Sequence, residues 1–131
     1  MIIHLGVNDV PYDDGKMTGE VAQILEDKYS VIGKFAEMFS KKIGQHLEKD
    51  LAESLENALN GIQQGGSIFS DAMSDIETDF RHALDSGFTG IQTKAAKQGV
   101  SHRFKHIESG IKRVPFIDTG LYQASFKAWI D

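Results

Sequence analysis

Asp118-Thr119-Gly120, preceded by the apolar pair Phe116-Ile117, is the triplet that carries the carboxylates of aspartic proteases. That chemistry needs two carboxylates sharing one proton, hence a second copy of the triplet or a homodimer. It also needs a β-rich body that cradles the loop and continues well beyond it. Only Leu121 to Asp131 come after the triplet, and most of the chain before it has helical spacing. Architecture suits these residues better. A carboxylate at the start of a turn accepts backbone N–H groups, which fits Asp118. Gly120 tolerates a positive φ or a close backbone approach, and Pro115 biases Val114 toward extended geometry. Pro115, Asp118, Thr119 and Gly120 thus read as a strand-to-turn corner.

His102 and His106 are four apart, so on a helix they share a face that can hold a metal. Only Glu108 stands near as a third ligand, while Arg103 and Lys105 repel a cation, and zinc normally takes three or four ligands. His4, His46 and His82 are isolated in the sequence and read as structural or surface residues. There is no cysteine, so no disulfide, thiolate metal site or thiol nucleophile. No Gly-rich phosphate loop, Ser-nucleophile elbow or Glu/His metal helix is present. The expectation is a protein that is not an enzyme, with no cofactor and no metal site.

Charge is distributed unevenly. Lys94, Lys97, Arg103, Lys105, Lys112 and Arg113 stand against the single acid Glu108, a local +5 in a chain of net charge −5. Asp71, Asp75, Glu77, Asp79 and Asp85 make another segment acidic. Such asymmetry marks either a solvated basic loop or a surface that pairs with a charged partner. Basic residues neutralise phosphate and Phe104 can stack on a base, so the arm 94–113 can touch nucleic acid. The acidic total and the lack of a reading helix argue against sequence-specific binding and leave non-specific contact with DNA.

The elements that position these residues are set by spacing. Ile2 to Val7 is a short strand, succeeded by turn residues from Asn8 to Gly15. Thr18 is placed to cap a helix, with Glu20 in its first turn. Val21, Ile24, Leu25, Ile32, Phe35, Phe39, Ile43, Leu47, Leu51, Leu55, Leu59 and Ile62 recur at three and four, which is helix. From Phe39 to Leu59 every step is four, so the stripe turns by roughly 200° about a straight axis. The helix is therefore wrapped on several sides or broken. Gly33 and Gly44 are its weak points, each costing roughly 1 kcal/mol against alanine. One helix is expected near 18–31 and a longer one near 34–63, with continuity between them open. So long a helix cannot be covered by so small a domain, which favours burial against other subunits.

Gln63 to Ser67 ends that element. Ser67 or Ser70 caps a second amphipathic helix carrying Phe69, Met73, Ile76, Phe80 and Leu84, with its stop at Gly87. Thr93 opens a short helix through Lys97, and 100–114 lacks periodicity. Tyr122, Ala124, Phe126, Ala128 and Ile130 alternate with Gln123, Ser125 and Lys127, which is strand spacing, and the natural partner is the N-terminal strand. Phe35, Phe39, Phe69 and Phe80 read as core, whereas Trp129 is a local anchor or an interface hot spot. The 131 residues form one domain, α+β and predominantly helical, with an irregular basic arm at about 94–114 and a small sheet joining the two ends. No run of 18 apolar residues is present, and Met1 to Val7 lacks the features of a signal peptide.

The corner and the five residues after it, Pro115-Phe-Ile-Asp-Thr-Gly-Leu-Tyr-Gln-Ala-Ser125, resemble the Pro-x-hydrophobic-Asp-Thr-Gly-x-Leu/Tyr-x-x-Ser signature of small tailed-phage structural proteins. Those are the virion-morphogenesis, neck and tail-completion proteins of the head–tail connection. The likeness is looser over Val21 to Phe39 and Ala95 to Lys105. It implies a virion protein of the neck or tail, made in the cytoplasm of the host bacterium, whose mechanism is assembly. Copies would form a ring, with helices packed across subunits, docking onto connector, portal or tail proteins. Arg103, Lys105 and Arg113 would pair with acids on a neighbour. Phe116, Tyr122, Phe126 and Trp129 would anchor the joint, and Asp118 and Gly120 would shape the corner. The competing class is a nucleic-acid-binding or regulatory protein acting through the arm 94–113.

Overall fold

The computed structural model of the protein describes residues 1–90 and 120–131. The expected helix from Thr93 to Lys97 and the basic arm lie outside them. Element order is β1 (Ile3–Val7), α1 (Thr18–Tyr29), α2 (Val31–Met38), α3 (Ser40–Leu59), α4 (Ser70–Asp85), α5 (Leu121–Ser125) and β2 (Phe126–Ile130). This is the expected α+β, predominantly helical architecture.

The chain ends meet in an antiparallel ribbon, with Ile3 opposite Ile130, Leu5 opposite Ala128 and Val7 opposite Phe126. Side chains alternate across a strand, so Leu5, Val7, Phe126 and Ala128 face inward and pack on the core. His4, Gly6, Lys127 and Trp129 face outward. The outer edge of β2 is covered by α4. Glu77 accepts the Ala128 N–H at 3.2 Å, and Arg81 donates to the Phe126 carbonyl at 3.5 Å. The strand begins later than the alternating pattern implied. Tyr122 and Ala124 belong to the short helix α5, entered through Gly120 at φ 78° and ψ −3°.

The core is aromatic. Phe35, Phe80 and Phe126 are fully buried. Phe80 stacks on Phe126 with centroids 3.8 Å apart, and Phe35 meets both edge-on at 5.2 and 6.0 Å. Ile76 and Leu84 of α4 complete the apolar face that the spacing indicated.

The long helical stretch is broken twice, but not at the glycines. Gly33 and Gly44 are both helical. The first break is Ser30, left-handed at φ 50°. There the Glu26 carboxylate crosses the gap and accepts the Ile32 and Gly33 N–H groups at 2.8 and 2.9 Å, supplying what the start of α2 lacks. Gly33 allows this approach, since a Cβ there would lie 3.0 Å from Glu26 Oε1. The second break, at Phe39, leaves its ring stacked on Phe35 at 4.7 Å. The bends reconcile a turning stripe with a small core. α3 then ends at Leu59 rather than near 63. Gly61 is left-handed at φ 72°, and the Ile62 N–H returns to the Asn57 carbonyl at 2.8 Å. The stop of α4 at Gly87 has the same form, with Phe88 N–H bonded to the Ala83 carbonyl at 3.1 Å.

Two helix starts differ from expectation in which group satisfies them. Met17, not Thr18, is the N-cap of α1, and its N–H donates to Glu20 at 3.2 Å. Thr18 is fully buried and instead locks the preceding loop, accepting from Val10 N–H at 2.8 Å and donating to the Asn8 carbonyl at 2.5 Å. Ser67 Oγ accepts the Phe69 N–H at 3.3 Å just before α4, but neither it nor Ser70 bonds the first N–H groups of the helix itself. The buried Asp50 of α3 does so from across the helix pair, accepting the Ala72 N–H at 2.6 Å.

Candidate functional site

The outward face of the ribbon carries Trp129. It stands opposite His4 in the register, their rings nearly parallel and 5.3 Å apart. Gly6, the next outward residue on β1, leaves the space the indole fills. A Cβ there would lie 3.1 Å from Trp129 Cη2. Trp129 is nevertheless 47% exposed, and Ile2 beside it 61%. His4 Nε2 lies 3.4 Å from Asp131 Oδ2, and Lys127 Nζ lies 3.2 Å from Glu77 Oε2. An aromatic patch framed by charge suits a contact in which a large ring is desolvated by a partner.

A second apolar surface lies on α3. The helix turns Asp50, Ser54 and Asn57 toward its own protomer, and all three are less exposed than their neighbours. Leu51, Leu55 and Leu59 point away and are 45, 59 and 88% exposed. The polar side is held inward by the bond from Asp50 to the start of α4. The leucine side is therefore free of the protomer's own core.

Between α3 and α4 lies an ionic clamp. Asp79 receives Lys42 Nζ at 2.5 Å and pairs with His46 Nε2 at 2.7 Å, while His46 Nδ1 lies 3.4 Å from Asp75. Burial alone would raise the Asp79 pKa, but the hydrogen bonds and charges of Lys42 and His46 outweigh it and hold the carboxyl below 3.8. The cluster ties two helices together. Its signal in the sequence is a pair of complementary i,i+4 pairs, Lys42/His46 and Asp75/Asp79, so His46 is not the isolated residue that its sequence neighbours suggest.

Of the residues singled out in the sequence, Arg103, Lys105, Arg113, Pro115, Phe116, Asp118 and Thr119, and the pair His102/His106, lie outside the described residues. Gly120 does adopt the left-handed geometry of a corner. Tyr122 and Phe126 are corrected by burial, because both lie inside the protomer and neither is presented at a surface. Phe126 stacks on Phe80, and Tyr122 meets the edge of the same ring at 6.1 Å. Burial pushes the Tyr122 hydroxyl well above its usual pKa, with Glu26 and Tyr12 adding to the effect. Trp129 alone of the described aromatic anchors is available to a partner. Among the described residues no cluster of acidic and histidine side chains is placed to hold a metal, and no helix is long and apolar enough to cross a membrane. The chain matches no protein-family model, no curated protein and no solved structure.

Proposed function

We propose that the protein is a structural component of a tailed-phage or prophage virion, acting in the neck or in tail completion. Copies assemble into a homo-oligomeric ring that docks onto adjoining connector, portal or tail proteins. The observation that carries this reading is the pair of exposed apolar faces on separate elements, the leucines of α3 and the Trp129 face of the ribbon. A subunit held in a ring or stack needs at least two contact surfaces, one for each neighbour. The signature from Pro115 to Ser125 supplies the virion context. In this reading the basic residues Arg103, Lys105 and Arg113 pair with acids on a neighbour or touch packaged DNA without sequence preference. Gly120 shapes the corner that delivers β2 to the ribbon.

The test is electron microscopy of a lysate from a phage carrying an early stop codon in this gene. Full heads separated from finished tails are expected. Normal, joined virions would overturn the proposal. The competing nucleic-acid reading would then be taken up through DNA binding by the purified chain, which must weaken steeply with added salt.

A further inference from the structure

We infer that the leucine face of α3 is a two-fold contact between copies of this chain, in which two α3 helices cross antiparallel about Leu55. The segment reads Leu51-Ala52-Glu53-Ser54-Leu55-Glu56-Asn57-Ala58-Leu59, and its apolar residues are palindromic about Leu55. A two-fold contact requires one patch to be complementary to itself, with residue i meeting j and j meeting i. Here Leu51 of one copy meets Leu59 of the other, Ala52 meets Ala58, and Leu55 meets Leu55.

The shape agrees. At about 100° per residue, Leu51, Leu55 and Leu59 form a ridge of i±4 neighbours, and Ala52 and Ala58 lie roughly 60° to either side of Leu55. Small residues beside a ridge make the groove that receives the partner's ridge, the packing that sets helices at roughly −50°. Ala52 and Ala58 are exposed, so both grooves are open.

Charge selects the occupant. Glu53 and Glu56 fall roughly 160° and 100° round the helix from Leu55, so the face itself is uncharged from Leu51 to Leu59, with Glu48 at its N-terminal end. A basic peptide finds no acidic seat on this face and nucleic acid finds no basic one, since Leu51 to Leu59 contain no Lys or Arg; an apolar ridge is what it fits. The exposed leucines and alanines, with Ile62 beyond the helix end at 55% exposure, offer several hundred Å² of apolar surface. Two copies together reach about the 1,000 Å² at which specific association begins. The inference does not depend on the virion reading. A two-fold pair closes on itself, so a ring of such pairs needs a second contact surface between them.

The test uses sedimentation of the full purified chain over a wide concentration range. The 14.5 kDa chain is expected at twice its mass, and Leu55→Glu, which sets two carboxylates face to face, is expected to return it to monomer mass with its unfolding transition kept. The chain has no cysteine, so single thiols report orientation without interference. Leu55→Cys should cross-link to itself on oxidation. A mixture of Leu51→Cys and Leu59→Cys should cross-link between the two variants, and neither should do so alone. A wild-type monomer, assembly indifferent to Leu55→Glu, or self-cross-linking of Leu51→Cys would each overturn the inference. Failure here leaves the lysate experiment untouched, and joined virions there would leave a sedimenting pair standing.

Discussion

At the scale of single residues, Gly120 is the part of the corner whose conformation is on view. It stands at φ 78°, where a side chain costs roughly 1–2 kcal/mol because Cβ crowds the next carbonyl. Apart from Gly120 itself and its two chain neighbours, no atom lies within 4 Å of a Cβ built there, so the penalty is local to the backbone and not a clash with packed side chains. Gly120→Val is therefore expected to lower stability by about 1–2 kcal/mol in urea unfolding, and Gly120→Asn by less, since Asn tolerates this region. A valine variant as stable as wild type would show that the chain enters α5 by ordinary geometry. The glycine's role was legible because few residues adopt such a φ. The positions of Tyr122 and Phe126 were not legible in the same way. Apolar spacing shows that a side chain will be hidden, but not whether its own core or a partner's hides it.

Among elements, the pairing of α3 with α4 depends on polar groups that spacing alone does not reveal. Asp50 is buried and accepts the Ala72 N–H. Asp50→Ala leaves that helix-start donor without its carboxylate, a loss of roughly 1–3 kcal/mol, visible as a lower urea midpoint. An unchanged midpoint would mean that solvent replaces the carboxylate at no cost. Asp79 makes a pH-dependent contribution. Its carboxyl is held below 3.8 in the folded chain by Lys42 and His46 against the opposing effect of burial. As acid is added, the unfolded chain takes up this proton first. The stabilisation is thus complete above the ordinary carboxylate range and drains away as pH falls through 3.8 toward the lowered folded value. The stability gap between wild type and Asp79→Asn should be widest above the ordinary carboxylate range and should narrow as the pH falls below 3.8. A gap that did not change with pH would remove the clamp from the account. Helix existence was plain from the three-and-four spacing. The breaks were not, because they fall at Ser30 and Phe39, where Glu26 and the Phe35 ring decide the geometry through contacts remote from intrinsic propensity.

For the molecule as a whole, the ribbon has two faces with opposite duties, and the two can be separated. The inward face closes the core. Phe126 is fully buried against Phe80 and Phe35, so Phe126→Ala is expected to cost about 3–5 kcal/mol. That is a large share of the roughly 5–15 kcal/mol a domain of this kind possesses. The ends of the chain are joined by this strand pair, so the loss should appear as a single cooperative transition at lower denaturant and not as fraying of one end. The outward face holds Trp129, which is about half exposed and stacks on His4. Its removal gives up one aromatic pair, about 0.5–1.5 kcal/mol, and should leave the fold intact. If the ribbon is a docking surface, Trp129→Ala must separate the two readouts. The purified variant should unfold close to wild type, while phage carrying it should accumulate unjoined heads and tails. A Trp129→Ala phage that assembled normally would assign the indole to local packing over Gly6. A variant that unfolded as readily as Phe126→Ala would show that the outer face is part of the core's closure.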